Sequence, residues 1–388
     1  MTLFVHPSLD ESILTSKAQT KQNHELVGIE VLRFICAFAI LIWHYQHFFF
    51  TGEYDKLQAE ALFSELPFYK FLEFAYDHGD LAVQFFWVIS GFIFYWRYAD
   101  PIYEGRVGII EFATRRFSRL YPLHFTTLVL VACFQYLYIS SHGNYFIYLN
   151  NSVPAFILQL FFASNWFSWQ TETYSFNGPI WSISVEILIY FSFFLIARTL
   201  GARVLIAIAI SGLSWLLLRS TYSNIFLSSN VFACGVLFFA GGATQRLSKH
   251  RFAIPVSVCA STMTLVLFAL GIIQLRYGMV VVLALSSVLL FARFGEIKAG
   301  MVFKHVAFLG NATYSSYLMH FPIQLGTVLI VDALGYDRSL FLNPIAFITY
   351  LAAMTGISLA VYHWFELPAQ NWIRSSARRF NRPSLQSK

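Results

Sequence analysis

The chain has 388 residues, of which 57% are hydrophobic, 19% aromatic and only 12% charged. Soluble domains carry about 25% charged residues, so this composition argues against a soluble protein and favours a membrane protein. The formal net charge is +6, but the basic residues are spread over short loops between apolar runs, which argues against a nucleic-acid partner.

Apolar runs recur along the whole sequence, and a membrane span needs about 20 largely apolar residues. We therefore predict an all-α fold, a polytopic transmembrane helix bundle of about ten spans. The stretch 154–169 is rich in Trp and Phe, and we interpret it as a re-entrant or interfacial helix rather than another span. The predicted spans are 27–49, 79–97, 119–140, 178–197, 203–219, 230–246, 252–273, 278–294, 306–331 and 342–365.

Lysine and arginine set the predicted orientation. With the N-terminus in the cytoplasm, 20 of the 26 Lys and Arg residues fall in inner loops and tails, and five fall outside. This is the positive-inside pattern, and it is lost if 154–169 spans the membrane. We predict a cytoplasmic tail at 1–26, one membrane domain at 27–370 and a basic cytoplasmic tail at 371–388.

The cysteines give no support for a metal site. Cys36, Cys133, Cys234 and Cys259 all fall within predicted spans, and their spacing fits neither a zinc site nor a disulfide framework. We interpret them as small buried apolar residues and predict no metal.

The first span carries two ionisable residues, Arg33 and His44. Eleven helical steps end about 20° past three full turns and about 16 Å further along the axis, so both side chains share one face. Ionisable groups in a span usually face the protein interior or a water-filled path, and an imidazole can act as base or nucleophile. We predict a polar pathway with His44 as its catalytic residue. The alternatives are an Arg33–Glu30 ion pair and a histidine that only joins helices.

The segment FATRRFSRLYPLH, residues 112–124, leads from an inner loop into the third span, and its Arg116 and Arg119 lie about one helical turn apart. Clustered guanidinium groups suit phosphates, which they bind with paired hydrogen bonds, so we predict a phosphate-binding pair at the inner face. The alternative is that these arginines serve only the positive-inside topology.

Other polar residues lie within the predicted spans. Glu186 is deep in the fourth span, closely preceded by Trp181 and Ser182. A carboxylate at that depth needs a partner, which is a base, a histidine or an arginine, or else it joins two helices. Gln84 in the second span and His320 in the ninth complete the candidate site residues.

Near the C-terminus the chain reads HWFELPAQNW, in which Glu366 lies two residues before Pro368. Proline disfavours a helical conformation in the residue before it. We therefore expect a helix to end at Glu366, and we give the pair a boundary role.

The order of these segments resembles the acyltransferase 3 family of bacterial inner-membrane proteins, and the resemblance runs from about 27 to 370. Each block alone is weak evidence for the family, but six blocks in the same order are strong evidence. The blocks are Arg33-x10-His44, GDLAVQFFWVISGF, Arg116-x-x-Arg119 with Leu120 and Pro122, IWSISVE, LGNATYSSYLMHFP and FELP.

The resemblance implies an O-acyltransferase of the bacterial inner membrane, multi-pass, with both termini cytoplasmic. It implies acyl-CoA, most often acetyl-CoA, as the cytoplasmic donor, no bound cofactor, and an extracytoplasmic carbohydrate or lipid-linked glycan as acceptor. Many relatives have an acidic residue where this chain has Gln84, which puts a catalytic role at that position in doubt.

The implied roles follow the blocks. Arg116 and Arg119 hold the phosphates of the donor, Arg33 lies at the mouth of the pathway, His44 acts at its far end, and Glu186 orients an imidazole or the acceptor. Direct transfer and transfer through an acyl-histidine both remain open. The competing hypothesis is a proton-coupled transporter or flippase with His44, Glu186 and His320 as a relay.

Overall fold

The computed structural model describes residues 9–51, 61–169, 174–220, 226–275, 277–294 and 304–380. Within these ranges the chain is built of helices without a strand, and one isolated antiparallel bridge joins Phe167 to Leu227. The predicted all-α fold is confirmed. Helices suit a membrane because every backbone polar group is satisfied within the segment.

The helices are numbered in chain order. They are α1 (Leu9–His44), α2 (Tyr69–His78), α3 (Ala82–Phe94), α4 (Ile109–His142), α5 (Val153–Leu160), α6 (Ile180–Leu200), α7 (Val204–Arg219), α8 (Ser229–Leu247), α9 (Ala253–Ala269), α10 (Tyr277–Phe294), α11 (Lys304–Asn311), α12 (Thr313–Ala333), α13 (Pro344–Val361) and α14 (Leu367–Phe380).

Six helical stretches of the described residues are long and apolar enough to cross a membrane. They contain α1, α3, α4, α6, α10 and α13, and each coincides with a predicted span. The other four predicted spans coincide with α7, α8, α9 and the α11–α12 pair. The helix positions therefore agree with the bundle that the apolar runs predict.

The stretch 154–169 contains only the helix α5, which has 8 residues. At about 1.5 Å per residue it is roughly 12 Å long, much shorter than the roughly 30 Å hydrocarbon core, so it does not span. Its buried Gln159 fixes it to two neighbours. The Gln159 amide donates to the Ser175 hydroxyl over 3.1 Å, and the Gln159 carbonyl lies 2.8 Å from Nε2 of His124 on α4.

Both predicted tails contain helix. The helix α1 begins at Leu9, so residues 9–26 continue into the first span without a break. The helix α14 extends to Phe380 and covers the first part of the segment 371–388. Residues 1–8 and 381–388 lie outside the described residues, and the cytoplasmic location of the tails stays a prediction.

Two irregular turns shape the surroundings of the site. A 3₁₀ turn, Tyr45–Phe49, follows the end of α1. A π-helical turn, Tyr362–Glu366, joins α13 to α14. The prediction that a helix ends at Glu366 is therefore wrong. Pro368 falls in the first turn of α14, where a missing N–H is tolerated.

Glycines bring α3 and α8 into close contact. A Cβ atom at Gly91 of α3 would collide with the carbonyl of Phe238, and one at Gly241 of α8 would collide with the carbonyl of Val88. Small residues at helix interfaces let backbones approach closely. The contact fixes the position of α3, which carries part of the site.

Candidate active site

Two of the cavities among the described residues contain the candidate site residues, one with a volume of about 180 Å³ and the other of about 800 Å³. The smaller is named the arginine cavity because its lining includes Arg33, Arg97, Arg116 and Arg119. The larger is named the histidine cavity because its lining includes His44 and His47. Under the predicted orientation the arginine cavity is on the cytoplasmic side.

Arg33 is held firmly on α1. Its guanidinium donates to Oε2 of Glu30 over 2.7 Å and to Oε1 over 3.0 Å. It also donates to Oγ1 of Thr313 at the start of α12 over 2.8 Å. The alternative of an Arg33–Glu30 ion pair is thus present in the structure, and the pair lines the arginine cavity.

Arg116 has aromatic neighbours. Its guanidinium carbon lies 5.0 Å from the ring centroid of Phe94 and 5.1 Å from that of Tyr98. It donates a hydrogen bond of 2.7 Å to the Tyr98 hydroxyl. Stacking orients the planar guanidinium without neutralising its charge, which leaves that charge available to an anionic ligand.

Arg119 lines the same cavity and interacts electrostatically with Glu366 and Glu30. Glu366 is only 3% exposed, and its Oε2 accepts a hydrogen bond of 2.7 Å from Ser315 of α12. The electrostatic attraction between Glu366 and Arg119 lowers the cost of burying each charge. Glu366 therefore belongs to the surroundings of the site, a role that the sequence interpretation did not give it.

His44 is buried in the lining of the histidine cavity. Its Nδ1 lies 3.0 Å from the carbonyl oxygen of Ile40. A carbonyl oxygen only accepts, so the proton of the neutral ring is on Nδ1 and the lone pair on Nε2. This tautomer makes Nε2 the atom that can take a proton or attack a carbonyl carbon.

Two more imidazoles lie beside His44. The ring centroid of His320 on α12 is 4.4 Å from that of His44, and the centroid of His47 is 4.8 Å away. His47 is buried and lines the histidine cavity, whereas His320 is fully buried behind it. In a 3₁₀ turn residues three apart eclipse each other, which brings His47 into line with His44. The sequence interpretation did not select His47, although residues three apart also share a face of an α-helix.

The IWSISVE block, residues 180–186, contributes side chains to both cavities. Trp181 lines the histidine cavity, while Ser182 and Glu186 line the arginine cavity. Glu186 is next to Ser90 and Tyr190. The structure thus places Glu186 in a different cavity from His44. Gln84 lines the histidine cavity, and its buried Oε1 accepts no hydrogen bond from the described residues.

Three side chains line both cavities and separate them: Val83 and Trp87 of α3 and Tyr317 of α12. They are named the wall. Val83 and Trp87 are four residues apart on one helix, so they present one face. The Arg33–His44 face of α1 passes the wall, with Arg33 in one cavity and His44 in the other.

The rest of the histidine cavity combines aromatic rings with polar groups, among them the carboxyl group of Asp80. Its rings include Trp43, Tyr148 and Tyr174, and its amides include Asn150 and Asn230. Burial, and after it the nearby Asp80 carboxylate, raises the pKa of Tyr174. The Tyr174 phenol therefore stays a neutral donor and acceptor of hydrogen bonds at ordinary pH.

No obvious metal centre accompanies these groups. Among the residues that the structure describes, no group of three or more His, Cys, Asp or Glu side chains is placed to hold a metal ion.

The chain is similar in sequence to known acyltransferases. The family model of an acyltransferase domain matches residues 26–363. Acyltransferase MdmB of Streptomyces mycarofaciens is 25% identical over 288 residues, with 67% of this chain and 72% of that protein covered. Protein 2 in the picA locus of Rhizobium radiobacter is 41% identical over 54 residues, with 14% of this chain and 28% of that protein covered. No solved structure matches.

Proposed function

The chain belongs to the acyltransferase 3 family, whose domain spans residues 26–363, and we propose that it is an O-acetyltransferase of the bacterial inner membrane. It moves an acetyl group from acyl-CoA on the cytoplasmic side to a hydroxyl of an extracytoplasmic carbohydrate. The observation that carries the proposal is the meeting of a cationic cavity and a histidine cavity at one thin wall. A donor anchored by its phosphates in the first cavity can present its thioester to the second.

The arginine cavity suits the donor. Coenzyme A is a polyanion that ends in a long uncharged arm, so its phosphates bind cations while its arm needs only a narrow channel. Arg116, which is stacked on aromatic rings, and Arg119 bind the phosphates. Arg33, fixed by Glu30 and Thr313, lines the path of the arm along α1.

The histidine cavity suits the chemistry. In direct transfer, Nε2 of His44 takes the proton of the acceptor hydroxyl as its oxygen attacks the thioester carbon. The carbon–sulfur bond then breaks, and the thiolate leaves with the proton that the imidazole returns. In the relay, Nε2 itself attacks the thioester carbon, the carbon–sulfur bond breaks, and the thiolate leaves as thiol with the proton that Nδ1 gives up. The acceptor hydroxyl then attacks the acyl-imidazole, and its proton returns to the ring as the carbon–nitrogen bond breaks. Both routes need the lone pair that the Ile40 carbonyl directs to Nε2.

The same cavity suits a sugar acceptor. A volume of about 800 Å³ accommodates several sugar rings. Its aromatic side chains can stack on the apolar faces of a sugar, and its amides can form hydrogen bonds with the hydroxyl groups. O-antigen, exopolysaccharide, capsule and smaller hydroxylated acceptors all present such surfaces. The acceptor is therefore a neutral or weakly charged glycan, either free or linked to lipid.

The transporter hypothesis needs a connected relay through His44, Glu186 and His320. His44 and His320 are in ring contact, but Glu186 lines the other cavity. The wall lies between Glu186 and the two histidines. The arrangement thus favours group transfer over proton-coupled transport.

The test uses purified protein, radiolabelled acetyl-CoA and a glycan acceptor. The wild type should transfer label to the glycan, and His44→Ala should lower the rate by about 10²- to 10⁴-fold, as expected for loss of a positioned base. His250→Ala, at an exposed loop histidine, is the matched control and should keep full activity. Near-normal transfer by His44→Ala would refute the role of His44. Glycan uptake by vesicles without acetyl transfer would refute the enzyme and support the transporter hypothesis.

A further inference from the structure

The wall separates the donor's anchor from the reacting imidazole. Among the residues that the structure describes, its members alone are common to the linings of the two cavities. If the proposed function holds, on which this inference rests, the acyl group must pass Val83, Trp87 and Tyr317 before it reaches His44. The wall is therefore the boundary that the acyl group must cross.

Two members of the wall are anchored. Trp87 is only 3% exposed, and its ring meets that of Trp181 edge to face, with 5.8 Å between the centroids. The Tyr317 hydroxyl lies 2.8 Å from Oγ of Ser182 and donates to the carbonyl of Pro179 over 2.9 Å. Both side chains are thus fixed against the start of α6.

The backbone beneath the wall is fixed as well. The glycine contacts at Gly91 and Gly241 pack α3 directly against α8, so the backbone that carries Val83 and Trp87 is held against a neighbouring helix. Val83 is the remaining member, a half-buried residue without a polar anchor. The size of its side chain therefore sets the width of the opening.

A group that passes such an opening lengthwise is sorted by its cross-section. An unbranched acyl chain is no wider than the end of the pantetheine arm that carries it, whatever its length. Beyond the wall the cavity of about 800 Å³ has room for a longer chain. A branch next to the carbonyl widens the group at the point where it must pass the wall.

We propose that Val83, with Trp87 and Tyr317, selects the acyl group by width and not by length. Acetyl and short unbranched acyl groups pass, whereas branched and aromatic acyl groups are held back. Val83 is the specificity-determining residue because its two β-branched methyl groups fill the part of the opening that the fixed rings leave.

The experiment compares acetyl-CoA, n-butyryl-CoA and isobutyryl-CoA as donors for the purified wild type, Val83→Ala and the control Leu218→Ala. Leu218 lines the histidine cavity away from the wall, so its truncation enlarges the cavity without opening the path. The wild type should prefer n-butyryl over isobutyryl about tenfold or more, which is the usual effect of one misplaced carbon in an apolar pocket. Val83→Ala should lower that preference about fivefold or more, and Leu218→Ala should leave it unchanged.

Equal transfer of n-butyryl and isobutyryl by the wild type, or an unchanged preference in Val83→Ala, overturns the inference while acetyl transfer still supports the proposed function. Poor transfer of both butyryl groups beside good acetyl transfer also overturns it, since that pattern means selection by length. Should Val83→Ala fail to fold, Val83→Ile narrows the opening and should slow n-butyryl transfer; unchanged transfer overturns the inference. Absence of transfer from any donor refutes the proposed function itself, and the inference with it.

Discussion

Arg116 gives the sharpest test of the donor site. Its guanidinium carbon lies 5.0 Å from the ring centroid of Phe94 and 5.1 Å from that of Tyr98, and these contacts orient its charge without neutralising it. Hydrogen bonds to charged groups are worth about 1.5–3 kcal/mol, so Arg116→Ala should weaken donor binding by roughly 10- to 150-fold. Arg116→Lys keeps the charge but loses the planar fork and the stacking, and it should recover only part of this loss.

The assay measures the KM of acetyl-CoA for each variant and repeats the comparison with acetyl-pantetheine, which carries the thioester arm without the phosphates. The loss caused by Arg116→Ala should largely disappear with acetyl-pantetheine, because the interaction that was removed is with phosphate. Arg115→Ala is the matched control, since the neighbouring Arg115 is bonded to Glu111 and does not line the cavity. Equal effects of Arg115→Ala and Arg116→Ala, or an equal loss with both donors, would refute the phosphate-binding role and leave topology as the explanation.

Three further predictions concern the surroundings of the site. His47→Gln should lower kcat about tenfold or more without changing the KM of the donor, because His47 lines only the histidine cavity; a change in donor KM alone in steady-state kinetics would contradict this. Glu366→Ala should lower the free energy of unfolding by about 1.5–3 kcal/mol, since it removes the hydrogen bond between Ser315 and a charged group and one of the carboxylates that attract Arg119, whereas Glu104→Ala removes only an exposed ion pair and should have little effect. Gly91→Ala should destabilise the protein by about 1–3 kcal/mol through overpacking, while Gly212→Ala, with open space at its Cβ position, should not; equal melting temperatures of the two variants would refute the α3–α8 contact.

Periodicity in the sequence was enough to place Arg33 and His44 on one helical face. The rule of 3.6 residues per turn depends only on local backbone geometry, and α1 is regular from Leu9 to His44. Composition likewise predicted the bundle. In a bilayer the backbone N–H and C=O groups need hydrogen bonds within the protein, and a helix supplies them within one segment. The Arg33–Glu30 pair followed from their spacing of three residues.

Helical periodicity and composition do not predict contacts between residues that are distant in sequence. Glu366 gains its partners from Ser315, 51 residues earlier, and from the more distant Arg119, so a helix-boundary role was the natural but wrong expectation. A spacing of three residues is compatible with contact between His47 and His44, but it does not indicate that both line one cavity. The wall unites Val83 and Tyr317 from two distant helices, and no periodic pattern relates residues so far apart.

In the proposed function, an acyl group passes from the arginine cavity to His44 and leaves on the opposite side of the membrane. Everted inner-membrane vesicles, whose cytoplasmic face is outside, test it most directly with radiolabelled acetyl-CoA added outside and a glycan acceptor enclosed within. The wild type should label the enclosed acceptor, and His44→Ala should not. Label that appears only on acceptor added to the same side as acetyl-CoA would contradict the account.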